Sequence, residues 1–167
     1  MVRAWGALLL PLAGLLLALA ALRERTGRAK ALEEWGEALA LWGRELSFRQ
    51  PDTGDLLATL ARQGPPGPAP VFARAEAGLG ESPFEELWRQ AVEEADSPLT
   101  PDDLELLAAL GGVLGRWDRE EQRRGVEEVR TQLLHRAGET RAALREEGRA
   151  YTVLGLSAGA LAAIVLL

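Results

Sequence analysis

The chain has 167 residues, a formal net charge of −6 and no cysteine. This length leaves room for one modest domain, and the lack of Cys excludes a disulfide framework and thiolate metal ligands. Acidic and basic residues are interleaved, so the sequence does not offer the basic face that nucleic-acid binding needs. The single histidine, His135, lies in a charge-rich stretch and is predicted to be a surface residue.

The chain begins with an uncharged apolar run over residues 4–22. This run is long enough to span a bilayer, so residues 1–22 are predicted to form an N-terminal transmembrane helix. A cleaved secretory signal peptide is the alternative, because Arg3 gives a positive start and residues 18–20 resemble a small-x-small cleavage site. The run exceeds the roughly 7–15 apolar residues of a signal peptide, which favours the anchor.

Residues 23–150 are predicted to form a cytoplasmic helical-bundle domain. The first helix of this domain carries apolar residues at alternating steps of three and four, the pattern of a coiled-coil-like seam. It should end near Gln50, since Pro51 disfavours helical geometry in the residue before it. The seam residues are Leu32, Trp35, Leu39, Trp42 and Leu46.

Two short helices are predicted next, on either side of a proline-rich loop. Thr53 is predicted to cap the first, which carries Leu56, Leu57 and Leu60. The sequence Gly-Pro-Pro-Gly-Pro at residues 64–68 requires a loop before the second.

Two further helices have clear start signals. Residues 82–85 form a capping-box pattern, with Pro83 predicted at the first helical position. Thr100 is predicted to begin the following helix, where Asp102 and Asp103 lie near the positive end of the helix dipole. Because β-branched residues are scarce and apolar alternation is short, the fold class predicted is all-α, a small bundle of about six helices flanked by two transmembrane helices.

A long final helix is predicted from Asp118 to the end of the chain. Asp118 and Glu121 form its start signal, and an apolar stripe follows on one face. The chain is uncharged from residue 150 onward, a length of about 27 Å as a helix, so residues 151–167 are predicted to be a C-terminal transmembrane helix. Gly155 and Gly159 are candidate interface residues, because small residues four apart let helices approach closely, although Gly/Ala-rich spans produce the pattern by chance.

Basic residues cluster on the domain side of both apolar runs. Positively charged flanks stay in the cytoplasm, which predicts that residues 23–150 are cytoplasmic and that both chain ends lie across the membrane. The basic residues are Arg23, Arg25, Arg28, Lys30, Arg141, Arg145 and Arg149.

The sequence contains no motif that carries chemistry. It lacks a phosphate-binding loop, a nucleophile elbow and zinc-ligand spacing. Its adjacent acidic pairs point about 100° apart on a helix, which favours solvated faces over catalytic pairs. The chain is therefore predicted to be non-enzymatic, with no catalytic residue, cofactor or metal.

The arrangement of two spans around a helical domain resembles the stage III sporulation protein AB family. The most specific segment is a Leu-Gly hairpin pattern ahead of the long final helix, Leu110-Gly111-x-x-Leu114-Gly115-x-x-Asp118-x-x-x-Gln122. Supporting pieces are Glu45-Leu46-x-Phe48, Phe72-x-Arg74 with Leu79, Trp88, and Gly155-x-x-x-Gly159. The chain departs from the family in having Pro51-Asp52-Thr53 in place of a Thr-Pro-Leu turn, and in the Gly/Pro-rich insertion near residue 65.

The resemblance implies a specific role. Members of this family are similar to the six-helix cytoplasmic domain of inner-membrane platform proteins in type II secretion and type IV pilus systems. They belong to the channel that links mother cell and forespore, and lie in the mother-cell membrane around the forespore. The implied partners are other channel components, including a cytoplasmic ATPase, and a second copy of the chain.

The hairpin end of the bundle is the candidate docking site for that ATPase. Its candidate interface residues are Arg116, Trp117, Asp118 and Arg119, because a turn with an aromatic residue and mixed charges suits docking. The structural alternative is that Gly111 and Gly115 merely allow the turn and Trp117 is core. A different function also stays open, a generic two-span membrane tether that recruits another cytoplasmic protein through a helical face.

Overall fold

The computed structural model describes residues 2–48, 52–114 and 119–166, with side chains described at 20, 22–48, 52–113 and 120–147. Seven α-helices and no β-strand occupy these residues: α1 Val2–Phe48, α2 Thr53–Gln63, α3 Ala69–Ala77, α4 Phe84–Glu93, α5 Pro101–Ala108, α6 Leu110–Leu114 and α7 Arg119–Leu166. Ala109 between α5 and α6 has helical angles, φ −60° and ψ −23°, so these two helices form one nearly continuous unit. The all-α prediction is confirmed, with six helical units in the described part.

The long helices α1 and α7 pack against each other in antiparallel directions. Arg25 pairs with Glu147 and Glu33 with Arg141, so residue numbers rise along α1 as they fall along α7. Gly36 allows close approach, because a Cβ added there would lie 2.6 Å from Cδ2 of Leu134. The two helices therefore form a coiled-coil-like frame for the domain.

The short helices extend from α1 around to α7. Helix α2 contacts α1 and α3, α3 contacts α4, and α4 contacts both α5 and α6, which in turn contact α7. The chain thus completes a closed bundle between its two long helices.

Aromatic side chains form the centre of the core. Trp35 and Trp42 of α1 lie 5.6 Å, centroid to centroid, from Phe72 of α3. Trp88 of α4 packs edge-on against Trp42 at 5.6 Å and donates its indole N–H to the Leu107 carbonyl at 2.8 Å. Edge-to-face contacts of this kind add to the stabilisation from apolar burial. The predicted seam is confirmed at these positions, because both α1 tryptophans are buried.

Two helix starts differ from the sequence prediction by one residue. Thr53 is the first residue of α2, and Asp52 before it makes no side-chain cap. Pro83 is the N-cap of α4 with φ −56° and ψ 139°, and not its first helical residue. The fixed φ of proline is compatible with the N-cap and with the first helical position of α4, so the sequence could not distinguish these two positions for Pro83. Thr100 is confirmed as the N-cap of α5, where its backbone N–H donates to Asp103 Oδ2 at 3.1 Å.

The final helix is confirmed as one continuous element, because α7 runs without a break from Arg119 to Leu166. Within the part of the chain that the structure describes, none of the helices is long and apolar enough to cross a membrane. The predicted spans at 1–22 and 151–167 depend on side chains that lie, except for residues 20 and 22, outside the described residues.

Candidate functional site

A buried carboxylate lies where α5 meets the two long helices. Asp103 is the only charged side chain that is fully buried among those described, with none of its surface exposed. Arg28 of α1 binds it in a fork, with Nε 2.8 Å from Oδ2 and Nη2 3.1 Å from Oδ1. Arg136 of α7 adds a third bond from Nη1 to Oδ1 at 2.8 Å. One carboxylate therefore joins three helices.

The surrounding polar groups complete this network. Arg28 Nη1 donates to Thr140 Oγ1 at 3.2 Å, and the Thr140 hydroxyl donates to the Arg136 carbonyl at 2.8 Å. Arg136 Nη1 also donates to the Asp102 carbonyl at 3.0 Å. Buried polar networks stabilise and specify a structure when every member has a partner, as these members do.

The charge state of Asp103 follows from two opposed effects. Burial would raise the pKa of its carboxyl, but hydrogen bonds from Arg28, Arg136 and Thr100 outweigh burial and hold the pKa well below its usual range. The bond to Asp103 in turn raises the pKa of Arg28, against a smaller opposing effect of burial. A carboxylate that stays ionised at physiological pH is unsuited to general acid catalysis, so we assign this cluster a structural role.

Sequence analysis placed Asp103 correctly at a helix start but did not find this network. The contacts of Asp103 span 75 residues to Arg28 and 33 residues to Arg136. Arg28 also belongs to the cluster that suggested a membrane flank. The only local signal was the Thr100-x-x-Asp103 spacing, which explains the cap and not the long-range partners.

The predicted docking residues fall mostly outside the described part. Arg116, Trp117 and Asp118 lie outside the described residues, as does the side chain of Arg119, the first residue of α7. Gly155 and Gly159 lie within α7, where the surrounding side chains are likewise outside the described residues. Whether these residues form interfaces therefore stays a prediction.

The described neighbours of the hairpin carry mixed charge and one exposed aromatic ring. Phe48 ends α1 with 85% of its surface exposed. Because α1 and α7 are antiparallel, Phe48 lies at the same end of the bundle as the start of α7. There Arg123 donates to Glu120 at 2.7 Å and 3.1 Å. We call this end, with Phe48 and residues 119–124, the hairpin tip.

Gly111 has a packing role that the sequence did not reveal. A Cβ at this position would lie 3.1 Å from the Glu85 Cα and carbonyl oxygen and from Trp88 Cδ1. The glycine therefore lets α6 approach the backbone of α4 at its first turn. Gly111 lies within α6, so its missing side chain provides close helix packing and not the turn that the structural alternative expected.

The described residues offer little for small-molecule chemistry. No group of three or more His, Cys, Asp or Glu among them could hold a metal ion. His135 is exposed and lies 3.7 Å from Glu139 on the same face of α7, a surface pair. An open cleft of about 450 Å³ between α1 and the loop after α2 is lined by Glu37, Leu41, Arg44, Gln63, Gly64 and Pro65. Its polar groups are not assembled around a buried reactive residue.

The fold defines a class of protein, a helical bundle built on an antiparallel pair of long helices. In this bundle a buried carboxylate and two arginines connect α5 to both long helices. The chain belongs to the stage III sporulation protein AB family, whose model matches residues 3–167. This membership supports a role in sporulation and an association with a membrane. No curated protein shows significant sequence similarity to the chain.

A solved structure described as stage III sporulation protein AB (SpoIIIAB) has a similar fold. It aligns with a TM-score of 0.65 and 19% sequence identity, over 71% of this chain and 97% of that one. At this identity the likeness concerns the fold alone. The bundle described above is therefore shared with a sporulation protein of the same family.

Proposed function

We propose that this chain is a non-enzymatic platform subunit of the channel between mother cell and forespore. In this proposal two membrane spans, residues 1–22 and 151–167, anchor it in the mother-cell membrane around the forespore, and the bundle lies in the cytoplasm and engages a secretion-type ATPase. The supporting observation is the antiparallel pairing of α1 and α7. It brings both apolar runs out of the same end of the bundle, so one bilayer can hold both.

The same pairing puts the hairpin tip at the opposite end. Residues 23–48 of α1 extend about 38 Å at 1.5 Å per residue, so the tip would project that far from the membrane surface. In this proposal the start of α7 is held away from lipid, and the candidate residues Arg116, Trp117, Asp118 and Arg119, which adjoin it in the sequence, are available to a cytoplasmic partner. Trp and Arg are enriched among the residues that contribute most of the binding energy at protein interfaces.

Self-association is the second part of the proposal. The platform proteins that the family resembles contain two copies of such a bundle, and this chain contains one. A second copy would supply the missing bundle, with Gly155 and Gly159 as the place where two membrane helices approach closely.

Recovery of partners from sporulating cells tests this function. Tagged full-length chain should bring down a cytoplasmic ATPase, and the variant Arg116→Glu/Arg119→Glu should lose it while other channel components remain. The matched control is Arg62→Glu/Arg89→Glu, which reverses two exposed arginines on α2 and α4. No ATPase with the wild-type chain in membranes would contradict the proposal. Recovery of an unrelated protein through a bundle face would instead support a generic membrane tether.

A further inference from the structure

A second open cleft lies between α1 and α7, near the end from which the apolar runs leave the bundle. It measures about 360 Å³ and is lined by Thr26, Ala29, Lys30, Arg141, Leu144 and Arg145. Three of these six residues are cationic and none is acidic. The lining therefore combines positive charge and one hydroxyl group with an apolar surface that is larger than its polar surface.

Lys30 and Arg145, two of these cationic residues, form at most a weak ion pair with other described residues. Lys30 lies 3.4 Å from Glu34 with 74% of its side chain exposed, and an exposed pair of this kind contributes little. Arg145 has no ion pair with any residue whose side chain is described. Arg141 pairs with Glu33, which holds its guanidinium at the cleft. Lys30 and Arg145 thus keep donors for an anion.

The hydroxyl group in the lining acts as an acceptor. Thr26 Oγ1 donates its proton to the Leu22 carbonyl at 2.7 Å, so its lone pairs point away from that bond. A ligand that carries both a phosphate and a hydroxyl group would match the cations and this oxygen together.

The position of the cleft indicates where such a ligand comes from. Thr26 lies four residues after Leu22, and Arg145 five residues before residue 150. At 1.5 Å per residue these positions are about 6–8 Å beyond the apolar runs. The headgroup layer extends about 5–8 Å beyond the hydrocarbon core on each side, so the mouth of the cleft would open into it.

We propose that this cleft binds the headgroup of an anionic phospholipid of the phosphatidylglycerol type. Lys30 and Arg145 donate to the phosphate, and Thr26 accepts from the headgroup hydroxyl. The inference rests on the proposed membrane placement of the chain. Each basic residue near an anionic membrane surface strengthens binding by about fivefold, so loss of both should weaken it by about 25-fold.

Native mass spectrometry of the full-length chain in detergent micelles tests this inference. Wild type should bind phosphatidylglycerol at least tenfold more tightly than phosphatidylcholine, and Lys30→Gln/Arg145→Gln should lose that preference. Arg62→Gln/Arg89→Gln, with the same change in charge away from the cleft, should keep it. Arg145→Lys, which retains the charge, should bind nearly as wild type does and shows that the site tolerates substitution.

Several results would overturn the inference. Equal affinity of wild type for the two lipids, or an unchanged preference in Lys30→Gln/Arg145→Gln, would do so. Displacement of the lipid by equimolar glycerol phosphate would assign the cleft to a soluble ligand instead. Carbonate washing of membranes distinguishes failure of the lipid-binding inference from failure of the proposed membrane placement. A chain that stays in the membrane without lipid preference contradicts only the inference, whereas a chain released by carbonate contradicts both.

Discussion

Arg28 and Asp103 meet through two parallel hydrogen bonds of 2.8 Å and 3.1 Å, which link the start of α5 to α1 across 75 residues of sequence. The Asp103 side chain is fully buried, and the Arg28 side chain is 27% exposed. Two-point binding between guanidinium and carboxylate fixes orientation as well as distance. This pair sets the position of α5 relative to the long helices.

Replacing Asp103 with Ala should destabilise the bundle. The change leaves Arg28 and Arg136 partly buried without their anion, and loss of one member of a buried pair costs about 3 kcal/mol or more in the free energy of unfolding. Urea unfolding of the full-length protein in detergent, followed by circular dichroism, measures the loss. Asp102→Ala at the exposed neighbouring position is the control and should change stability little. Equal stability of the two variants would contradict the structural role of the network.

The same carboxylate makes stability depend on pH in a defined direction. The pKa of Asp103 is lower in the folded chain, so its contribution is fully present above its unfolded pKa of about 3.9. That contribution is lost as pH falls through this value towards the lowered folded pKa. The difference in unfolding free energy between wild type and Asp103→Asn should be constant from about pH 5 to 8 and narrow below about pH 4. If the difference in unfolding free energy between wild type and Asp103→Asn increased on acidification, the pKa of Asp103 would not be lowered by folding.

Sequence predicted the features of this fold that have local causes. The spacing of Trp35 and Trp42 follows the helical period, and the Gly-Pro-Pro-Gly-Pro run stops a helix wherever it occurs. The Asp103 network depends on residues brought together by the whole fold, and charged residues on a helix look alike whether they face solvent or a distant partner. The close packing at Gly111 could not be predicted from local sequence either, because the residues it contacts belong to α4.

Two glycine substitutions should have opposite effects. Gly111→Ala places a Cβ 3.1 Å from backbone atoms of Glu85, which cannot move without shifting α4, so it should cost about 1–3 kcal/mol. Gly138→Ala on α7 meets no atom within 4 Å and should stabilise the helix by up to about 1 kcal/mol. Thermal unfolding of both variants in parallel measures the contrast. A stabilising Gly111→Ala would show that α4 and α6 are not held as described.

The orientation in the membrane gives a separate prediction, which rests on the proposed spans. Ser82 is exposed, and the chain contains no cysteine, so Ser82→Cys creates a single reporter thiol. An impermeant maleimide should fail to label it in intact protoplasts and should label it after permeabilisation, because the basic flanks hold residues 23–150 in the cytoplasm. Labelling of Ser82→Cys in intact protoplasts would show that residues 23–150 face outward, opposite to the predicted orientation.

The predicted close approach of membrane helices can be tested apart from insertion. Gly155→Leu/Gly159→Leu keeps the segment apolar, so the variant should stay in carbonate-washed membranes as wild type does. The larger side chains would keep two helices apart, and crosslinking between copies of the chain should fall. Ser157→Leu/Ala160→Leu, which adds bulk on the opposite face of the same helix, is the control and should crosslink as wild type does. If the glycine variant also crosslinks normally and supports normal sporulation, the spacing of the two glycines is only a product of composition, and self-association must use the bundle.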